Sequence, residues 1–192
     1  MQRMMTALAR AMALLGGLVL VSLVILTCLS VLGRIANTLG HSDFVAAAVP
    51  FLTSPLRALG PINGDYELIE AGIAFAIFAF LPWCQLNRGH ANVEVLTGFF
   101  PAVTNHFLAA LWEIMFALVI VLITWRLSVG MSDKMRYGET TFLLQMPVWW
   151  AFAICTAAAV VASVVAVYSA WLHIRELING QSSTPVTGVS EH

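Results

Sequence analysis

The sequence predicts an all-α integral membrane protein with four transmembrane helices. Of its 192 residues, 60% are hydrophobic and only 10% are charged, whereas a soluble domain has about a quarter of its residues charged. The apolar residues also form four long stretches. Each is close to the roughly 20 residues that a helix needs to cross a bilayer core of about 30 Å. The solvent around most of this surface is therefore lipid.

The first two predicted spans differ in their flanking charges. The first, residues 11–33, contains no charged residue. It is longer than the apolar region of a signal peptide and lacks a small-residue cleavage site, so we expect it to remain as an anchor. The second, residues 66–86, begins within an acidic cluster, where the helix dipole favours negative charge. Pro82 is expected to bend its last turn.

The last two predicted spans differ in polarity. The third, residues 107–129, carries Glu113 within its apolar run. Such a carboxylate is either an ion or proton site, or a group that reaches the interface or pairs with a partner helix, and the sequence leaves these open. The fourth, residues 147–172, contains no charged residue. We expect its helix to begin near Pro147, because proline in a first turn costs no hydrogen bond.

The four spans are predicted to form one membrane domain, residues 1–178, followed by a polar and disordered tail, residues 179–192. Between the first two spans, residues 41–59 are too short and too rich in proline to cross the bilayer. Their apolar content favours an additional helical segment that lies in the membrane interface or packs on another subunit. Tryptophan side chains are expected to mark both membrane boundaries: Trp149 and Trp150 on one side, Trp171 on the other.

Small residues recur every four positions along the fourth span, in two neighbouring ridges. Their members are Ala151, Cys155, Ala159 and Ser163 in one ridge, and Ala158, Ala162, Ala166 and Ala170 in the other. Helices associate in lipid through close packing of such faces, either inside a four-helix bundle or against another membrane protein. The bulkier side chains are expected to face lipid or larger grooves: Ile154, Val160, Val161, Val164, Val165 and Leu172.

The sequence lacks the motifs of catalysis and cofactor binding. Its five histidines fall in predicted loops or near helix ends, whereas a haem carrier needs facing histidines at mid-depth. Cys28, Cys84 and Cys155 occur one per apolar stretch and are interpreted as packing residues. No Walker loop, H-E-x-x-H or G-x-S-x-G is present, and no basic stripe indicates nucleic-acid binding. We therefore expect no enzyme activity, cofactor or metal.

Charge leaves the orientation in the membrane open. If the amino terminus is cytoplasmic, the basic residues divide four inside to five outside, which the positive-inside rule cannot decide. The inner group is Arg3, Arg10, Arg88 and Arg175, and the outer group is Arg34, Arg57, Arg126, Lys134 and Arg136.

Three blocks of mixed polar and aromatic residues flank the predicted spans. Residues 64–70 (GDYELIE) open the second span, and residues 81–90 (LPWCQLNRGH) close it. Residues 125–150, which contain WRL, DKMRYGETT and QMPVWW, lead into the fourth span. In their order and placement these blocks resemble the small membrane subunit of tripartite ATP-independent periplasmic (TRAP) transporters, the DctQ-type family. Two positions depart from the usual pattern: Ile35 follows the arginine where an aromatic residue is usual, and Glu94 replaces aspartate.

The resemblance implies a function and a set of partners. Such a subunit works in the bacterial inner membrane, with both termini in the cytoplasm, beside a large membrane subunit that carries the sodium and substrate sites. It would brace that subunit of a secondary transporter during uptake of small organic anions, such as carboxylates, delivered by a periplasmic solute-binding protein. The structural and interface residues that the resemblance implies are Arg34, Gly64, Glu67, Arg88, Gly89, His90, Gly138, Thr140 and Pro147.

Two of these groups have more specific expected roles. Arg88, Gly89 and His90 would form a cytoplasmic turn, in which glycine permits a positive φ. Residues 138–141 with Pro147 would start the fourth helix, with a hydroxyl group capping its exposed amides. Two other functions stay open: a stand-alone proton-coupled carrier built on Glu113 or Glu70, and a membrane anchor of an unrelated complex. The sequence names neither the substrate, the coupling ion nor the helices that contact a partner.

Overall fold

Long α-helices make up most of the chain that the computed structural model describes, which is residues 2–41, 62–87 and 102–179. The helices are α1 (Gln2–Gly40), α2 (Asp65–Leu86), α3 (Ala102–Tyr137) and α4 (Trp149–Asn179). All four are long and apolar enough to cross a membrane, so the predicted all-α fold with four transmembrane helices is confirmed. At about 1.5 Å per residue, the 39 residues of α1 exceed the thickness of a bilayer core.

Three sequence predictions concern residues outside the described ranges. They are the interfacial segment, residues 41–59, of which only His41 is described; the turn at Arg88, Gly89 and His90; and the polar tail, of which only Asn179 is described.

The helices pack side by side in the order α1, α2, α4, α3. Helix α3 lies along α4, α4 along α2, and α2 along α1, whereas α1 and α4 barely touch. The arrangement is thus closer to a row than to a closed four-helix bundle. As a consequence, α2 and α4 have helical neighbours on two sides, while α1 packs mainly against α2 and α3 mainly against α4.

Small residues let α1 and α2 approach closely. The buried residues of α1 are Ala9, Gly16, Ser30, Gly33 and Gly40. A Cβ atom added to Gly16 would lie 3.0 Å from the Cβ of Ala79, and one added to Gly72 would lie 2.7 Å from Cδ1 of Leu23. Leu23 therefore fills the space that Gly72 leaves open. Close packing of this kind is the main source of helix association in lipid.

The small-residue face of α4 is used within the chain. Cys155, Ala158, Ala159, Ala162 and Ala166 are buried, while Ala151 and Ser163 are half-buried. Ala166 and Ala170 pack with Ala117 of α3 and the ring of Phe116. Helix α4 therefore directs this face toward its neighbours, α2 and α3.

One residue of the bulkier set on α4 lies inside the row. Val165 was expected to face lipid or a larger groove, and it is fully buried, so it does not face lipid. It follows Ala158 by seven residues, which is close to two turns of helix, so both residues point to the same side. Ile154, Val160 and Val164 do lie on the exposed side.

A polar contact also joins α3 to α4 inside the apolar region. The hydroxyl of Thr124 lies 2.7 Å from the hydroxyl of Ser163 and 3.1 Å from the carbonyl oxygen of Ala159. Interhelical hydrogen bonds of this type each stabilise helix association by an average of about 0.6 kcal/mol. Because hydrogen bonds are directional, they also favour one relative position of α3 and α4 along their axes.

Candidate functional site

Most of the family-type residues that the structure describes meet at one end of the row, where α2 and α4 begin. We call this the loop end. It consists of Ser30 and Arg34 of α1, residues 62–67 at the start of α2, and the α3–α4 loop, residues 138–148. The loop end brings together residues that are more than 100 positions apart in sequence.

Glu67 joins the start of α2 to the α3–α4 loop. Its Oε1 accepts a hydrogen bond from the amide of Leu143 at 2.7 Å, and its Oε2 accepts one from the amide of Leu144 at 3.0 Å. Hydrogen bonds to an ionised carboxylate are stronger than those between neutral groups. Because the two carboxylate oxygens accept hydrogen bonds from adjacent amides, the contact fixes the orientation of the loop as well as its distance from α2.

Gly64 allows the α3–α4 loop to approach the start of α2 closely. Its φ of 81° and ψ of 10° lie in the left-handed region, which glycine adopts at little cost. The side chain of Leu144 lies directly over Gly64, so a Cβ atom there would come within 2.8 Å of Cδ2 of that leucine. Glycine is therefore required at this position both for the backbone turn and for the close approach of the loop.

Gly138 ends α3 in a similar conformation. Its φ is 61°, and its amide donates to the carbonyl oxygen of Lys134 at 3.1 Å, as in helix termini closed by a left-handed residue. A Cβ atom on Gly138 would meet nothing within 4 Å. Glycine is thus favoured at position 138 only by the backbone conformation, whereas at position 64 it is favoured also by the lack of space for a side chain.

The α3–α4 loop is a short hairpin closed by its own hydrogen bonds. Thr140 pairs with Pro147 as an isolated β-bridge. The amide of Thr141 donates to the carbonyl oxygen of Met146 at 2.8 Å, and the amide of Val148 donates to that of Glu139 at 2.9 Å. These bonds are formed between residues of the loop itself.

Two further contacts hold the tip of the hairpin. The Oγ1 atom of Thr141 accepts the amide of Met146 at 3.1 Å. The side-chain amide of Gln145 donates to the carbonyl oxygen of Phe142 at 3.0 Å. Gln145 has a φ of 54°, an uncommon conformation for a residue other than glycine. The surrounding hydrogen bonds hold it there.

The expected start of the fourth helix needs a correction in detail. Helix α4 begins at Trp149, and the carbonyl oxygen of Pro147 accepts the amide of Trp150 at 3.2 Å. A hydroxyl of residues 138–141 was expected to cap the helix; that of Thr141 instead accepts a hydrogen bond from the amide of Met146 within the loop. The hairpin places this hydroxyl beside an amide that precedes the helix, so it serves the loop.

Asp65 connects the loop end to α1. It accepts a hydrogen bond from the buried hydroxyl of Ser30, and its carboxylate lies 3.9 Å from the guanidinium of Arg34. The other carboxylate oxygen of Asp65 accepts the amide of Tyr66 at 2.8 Å. The acidic cluster that sequence analysis assigned to the helix dipole is therefore also used in specific contacts with α1 and with the loop.

The opposite end of the row carries two arginine–tryptophan contacts. The guanidinium carbon of Arg175 lies 3.7 Å from the ring centre of Trp171, and that of Arg10 lies 5.6 Å from the ring centre of Trp83. Both distances suit a cation–π interaction. Trp149 and Trp150 lie at the loop end, so tryptophans occur at both ends of α4.

A buried polar pair joins α2 to α3; pairing was one of the alternatives that the sequence left open for Glu113, but the sequence did not name Gln85 as its partner. The side-chain amide of Gln85 donates to the carboxylate of Glu113, and both residues are buried. The signal was available, because each is a polar residue inside an apolar run, but spacing within one helix does not reveal a partner on another. In the described part of the chain, no group of three or more His, Cys, Asp or Glu residues could hold a metal ion.

The pattern of a membrane-embedded helix row with motif residues gathered at one end agrees with a comparison against known protein families. Residues 46–176 match the model of the DctQ component of tripartite ATP-independent periplasmic transporters. This range is more than half of the chain. The protein belongs to the DctQ family. Comparison with curated proteins and with solved structures gave no match.

The matched range of this DctQ protein contains two of the three parts of the loop end. It includes α2 with Gly64 and Glu67, and it includes the whole α3–α4 loop. Helix α1 and Arg34 precede the matched range. The contact between Glu67 and the loop is thus formed entirely by residues that lie in the family domain.

Proposed function

We propose that this DctQ protein braces the large membrane subunit of its TRAP transporter and does not itself carry the transported solute. The row of helices supports this function. A row has two broad faces, and α1 exposes many large apolar side chains, including Leu14, Leu18 and Val24. Broad apolar faces of this kind are open both to lipid and to lateral packing against another membrane protein.

The use of the polar side chains supports the same proposal. Gln85 bonds Glu113, and Thr124 bonds Ser163. These polar groups inside the described membrane helices thus have partners within the chain. A carrier would need polar groups directed toward a solute pathway near the midplane. Here the polar side chains form hydrogen bonds between helices of the chain, as expected for a rigid structural subunit.

The transporter is proposed to take up small organic carboxylates delivered by a periplasmic solute-binding protein, across the bacterial inner membrane. An even number of spans puts both termini on the same side. We propose that this side is the cytoplasm, where Arg10 and Arg175 lie, and that the loop end faces the periplasm. A cysteine placed at Glu139 should then react with a membrane-impermeant maleimide added to intact cells, whereas one placed at Arg10 should not.

Co-purification tests the proposed function directly. The tagged chain is expressed with the large membrane protein encoded beside it, and the detergent extract is separated by size with mass determination. We expect a stable one-to-one complex. If the chain elutes alone, as a monomer or as a homodimer, while the neighbouring protein behaves independently, the bracing function is wrong.

The competing function is a stand-alone carrier, and one observation favours it. Glu113 is a buried carboxylate in an apolar helix, and such residues often mark ion or proton pathways. The purified chain would then move solute alone in proteoliposomes, and Glu113→Gln would abolish the flux. We expect no flux from the chain alone, and we expect Glu113→Gln to leave transport by the full complex largely unchanged.

A further inference from the structure

The α3–α4 loop has a combination of properties that its role in the fold does not explain. Its tip is apolar and exposed: the side chain of Phe142 is 87% exposed and that of Leu143 is 57% exposed. Elsewhere in the described ranges, the large exposed apolar side chains lie on the four helices, apart from Ile62 just before α2. Here they project from a hairpin beyond the ends of α3 and α4.

The depth of this tip is set by Glu67. That residue lies in the first turn of α2, directly before the apolar run that begins at Leu68, and it holds the amides of Leu143 and Leu144. The tip therefore lies level with the end of the apolar part of α2. At this level the chain leaves the acyl region and enters the headgroup region.

The backbone of the loop is unusually well closed for a segment at a membrane surface. The amides of Thr141 and Val148 bond loop carbonyl groups, and that of Met146 bonds a loop hydroxyl. The amides at the tip itself bond Glu67. A loop in water needs no such closure, because water satisfies free amides, whereas a loop that dips into a less polar medium must satisfy them internally.

Aromatic and cationic residues are exposed at the same end of the row as the tip. Tyr66, Tyr137 and Trp150 are exposed at the same end, and aromatic side chains of this kind concentrate at membrane interfaces. Arg136 in the last turn of α3 is also exposed. Its charge suits the phosphate groups of lipids.

We propose that the α3–α4 loop is an interfacial lipid anchor, in which Phe142 and Leu143 insert at the boundary between headgroups and acyl chains. Glu67 acts as the positioning residue that holds the tip at this depth. A protein partner fits the tip less well, because a stable protein interface covers about 800 Å² on each side, whereas the loop exposes three large apolar side chains, Phe142, Leu143 and Met146. The inference does not depend on the proposed bracing function.

Depth measurement by spin labelling tests the anchor. The native cysteines are replaced (Cys28→Ala, Cys84→Ala and Cys155→Ala), and a nitroxide is attached at Phe142→Cys. The labelled chain is placed in bilayers of phosphatidylethanolamine and phosphatidylglycerol, both alone and with the large subunit. Collision with oxygen, which concentrates in the acyl region, is compared with collision with a water-soluble nickel chelate.

We expect oxygen to dominate at position 142 in both preparations. The matched control is Glu139→Cys, in the same loop but on its polar side, where the nickel chelate should dominate. Dominance of the nickel chelate at position 142 would overturn the anchor. Shielding from both reagents only when the large subunit is present would also overturn it, and would assign the tip to a protein contact. If Phe142→Cys fails to reconstitute, a label at Leu143→Cys gives the same comparison.

The role of Glu67 has its own control. With the label at position 142, Glu67→Gln should raise the collision rate with the nickel chelate, because the tip is no longer held at its depth. Glu70→Gln changes a neighbouring exposed carboxylate on the same helix and should have no effect. An unchanged depth in Glu67→Gln would overturn the positioning role of Glu67.

Discussion

The carboxylate of Glu67, in the first turn of α2, accepts a hydrogen bond from the backbone amide of Leu143 at 2.7 Å. The two residues are 76 positions apart in the sequence. Its second oxygen accepts the next amide along the loop. Through this pair of bonds the start of one membrane helix determines where the connection between two others lies. The loop end is therefore a unit assembled from α2 and the α3–α4 loop, with α1 attached to it through Asp65.

The first prediction concerns protection of the loop. Glu67→Gln removes the negative charge and leaves one side-chain oxygen where two were used, so the amides of Leu143 and Leu144 should open more often. Hydrogen exchange followed by mass spectrometry should show at least several-fold faster exchange in residues 138–148. The control is Glu70→Gln, which should leave exchange there unchanged. Equal exchange in all three proteins would show that the hairpin does not depend on Glu67.

The second prediction concerns the contact between α1 and α2. Gly16→Ala adds a Cβ atom 3.0 Å from that of Ala79, while Gly17→Ala adds one into open space. Overpacking of a tight contact costs about 1–3 kcal/mol, so Gly16→Ala should lower the free energy of unfolding in mixed micelles. Gly17→Ala should leave it unchanged or raise it slightly, because alanine favours helix. Equal effects of the two substitutions would contradict the close approach of α1 and α2.

The third prediction concerns the buried pair of Gln85 and Glu113. Gln85→Leu removes a donor from a buried carboxylate, which should cost about 1–3 kcal/mol of stability. The double substitution Gln85→Leu with Glu113→Leu removes both polar groups and should recover part of that loss. A double-mutant cycle on unfolding free energies measures the coupling, expected between about 0.5 and 3 kcal/mol. Additive effects would mean that the two residues act independently.

The fourth prediction concerns the hydroxyl contact between α3 and α4. Thr124→Val keeps the shape of the side chain but removes its bonds to Ser163 and Ala159. In membrane proteins such bonds average about 0.6 kcal/mol, so a small loss of stability is expected. Thr27→Val is the matched control, because the hydroxyl of Thr27 bonds the carbonyl oxygen of Leu23 in its own helix. A loss as large in Thr27→Val would show that the interhelical contact contributes nothing specific.

The sequence determined the helices and the residues available for packing. Long apolar runs predict membrane helices because a bilayer leaves the backbone few other ways to satisfy its hydrogen bonds. The four-residue spacing of small residues on α4 predicted a packing face, and the structure buries most of that face against α2 and α3. The same reasoning left Val165 open between lipid and a larger groove, because the prediction grouped residues by size and did not follow the helix period; the structure buries this residue.

Only the tertiary structure decided which helices are neighbours. Periodicity within a helix describes its faces but does not say which other helix meets each face, so the row order α1, α2, α4, α3 could not be predicted. For the same reason the sequence could not name Gln85 as the partner of Glu113, because the two residues lie on different helices.

The loop end shows the same division. The sequence supplied Gly64, Glu67 and Gly138 as motif residues, and the left-handed conformation of a helix-ending glycine follows from local chemistry. The contact of Glu67 with Leu143 does not follow from local chemistry. A carboxylate in the first turn of a helix interacts favourably with the helix dipole whether or not it has a hydrogen-bond partner. The choice of partner depends on how far the hairpin folds back over α2. That distance is set by the packing of α2 along α4, which no local pattern in the sequence encodes.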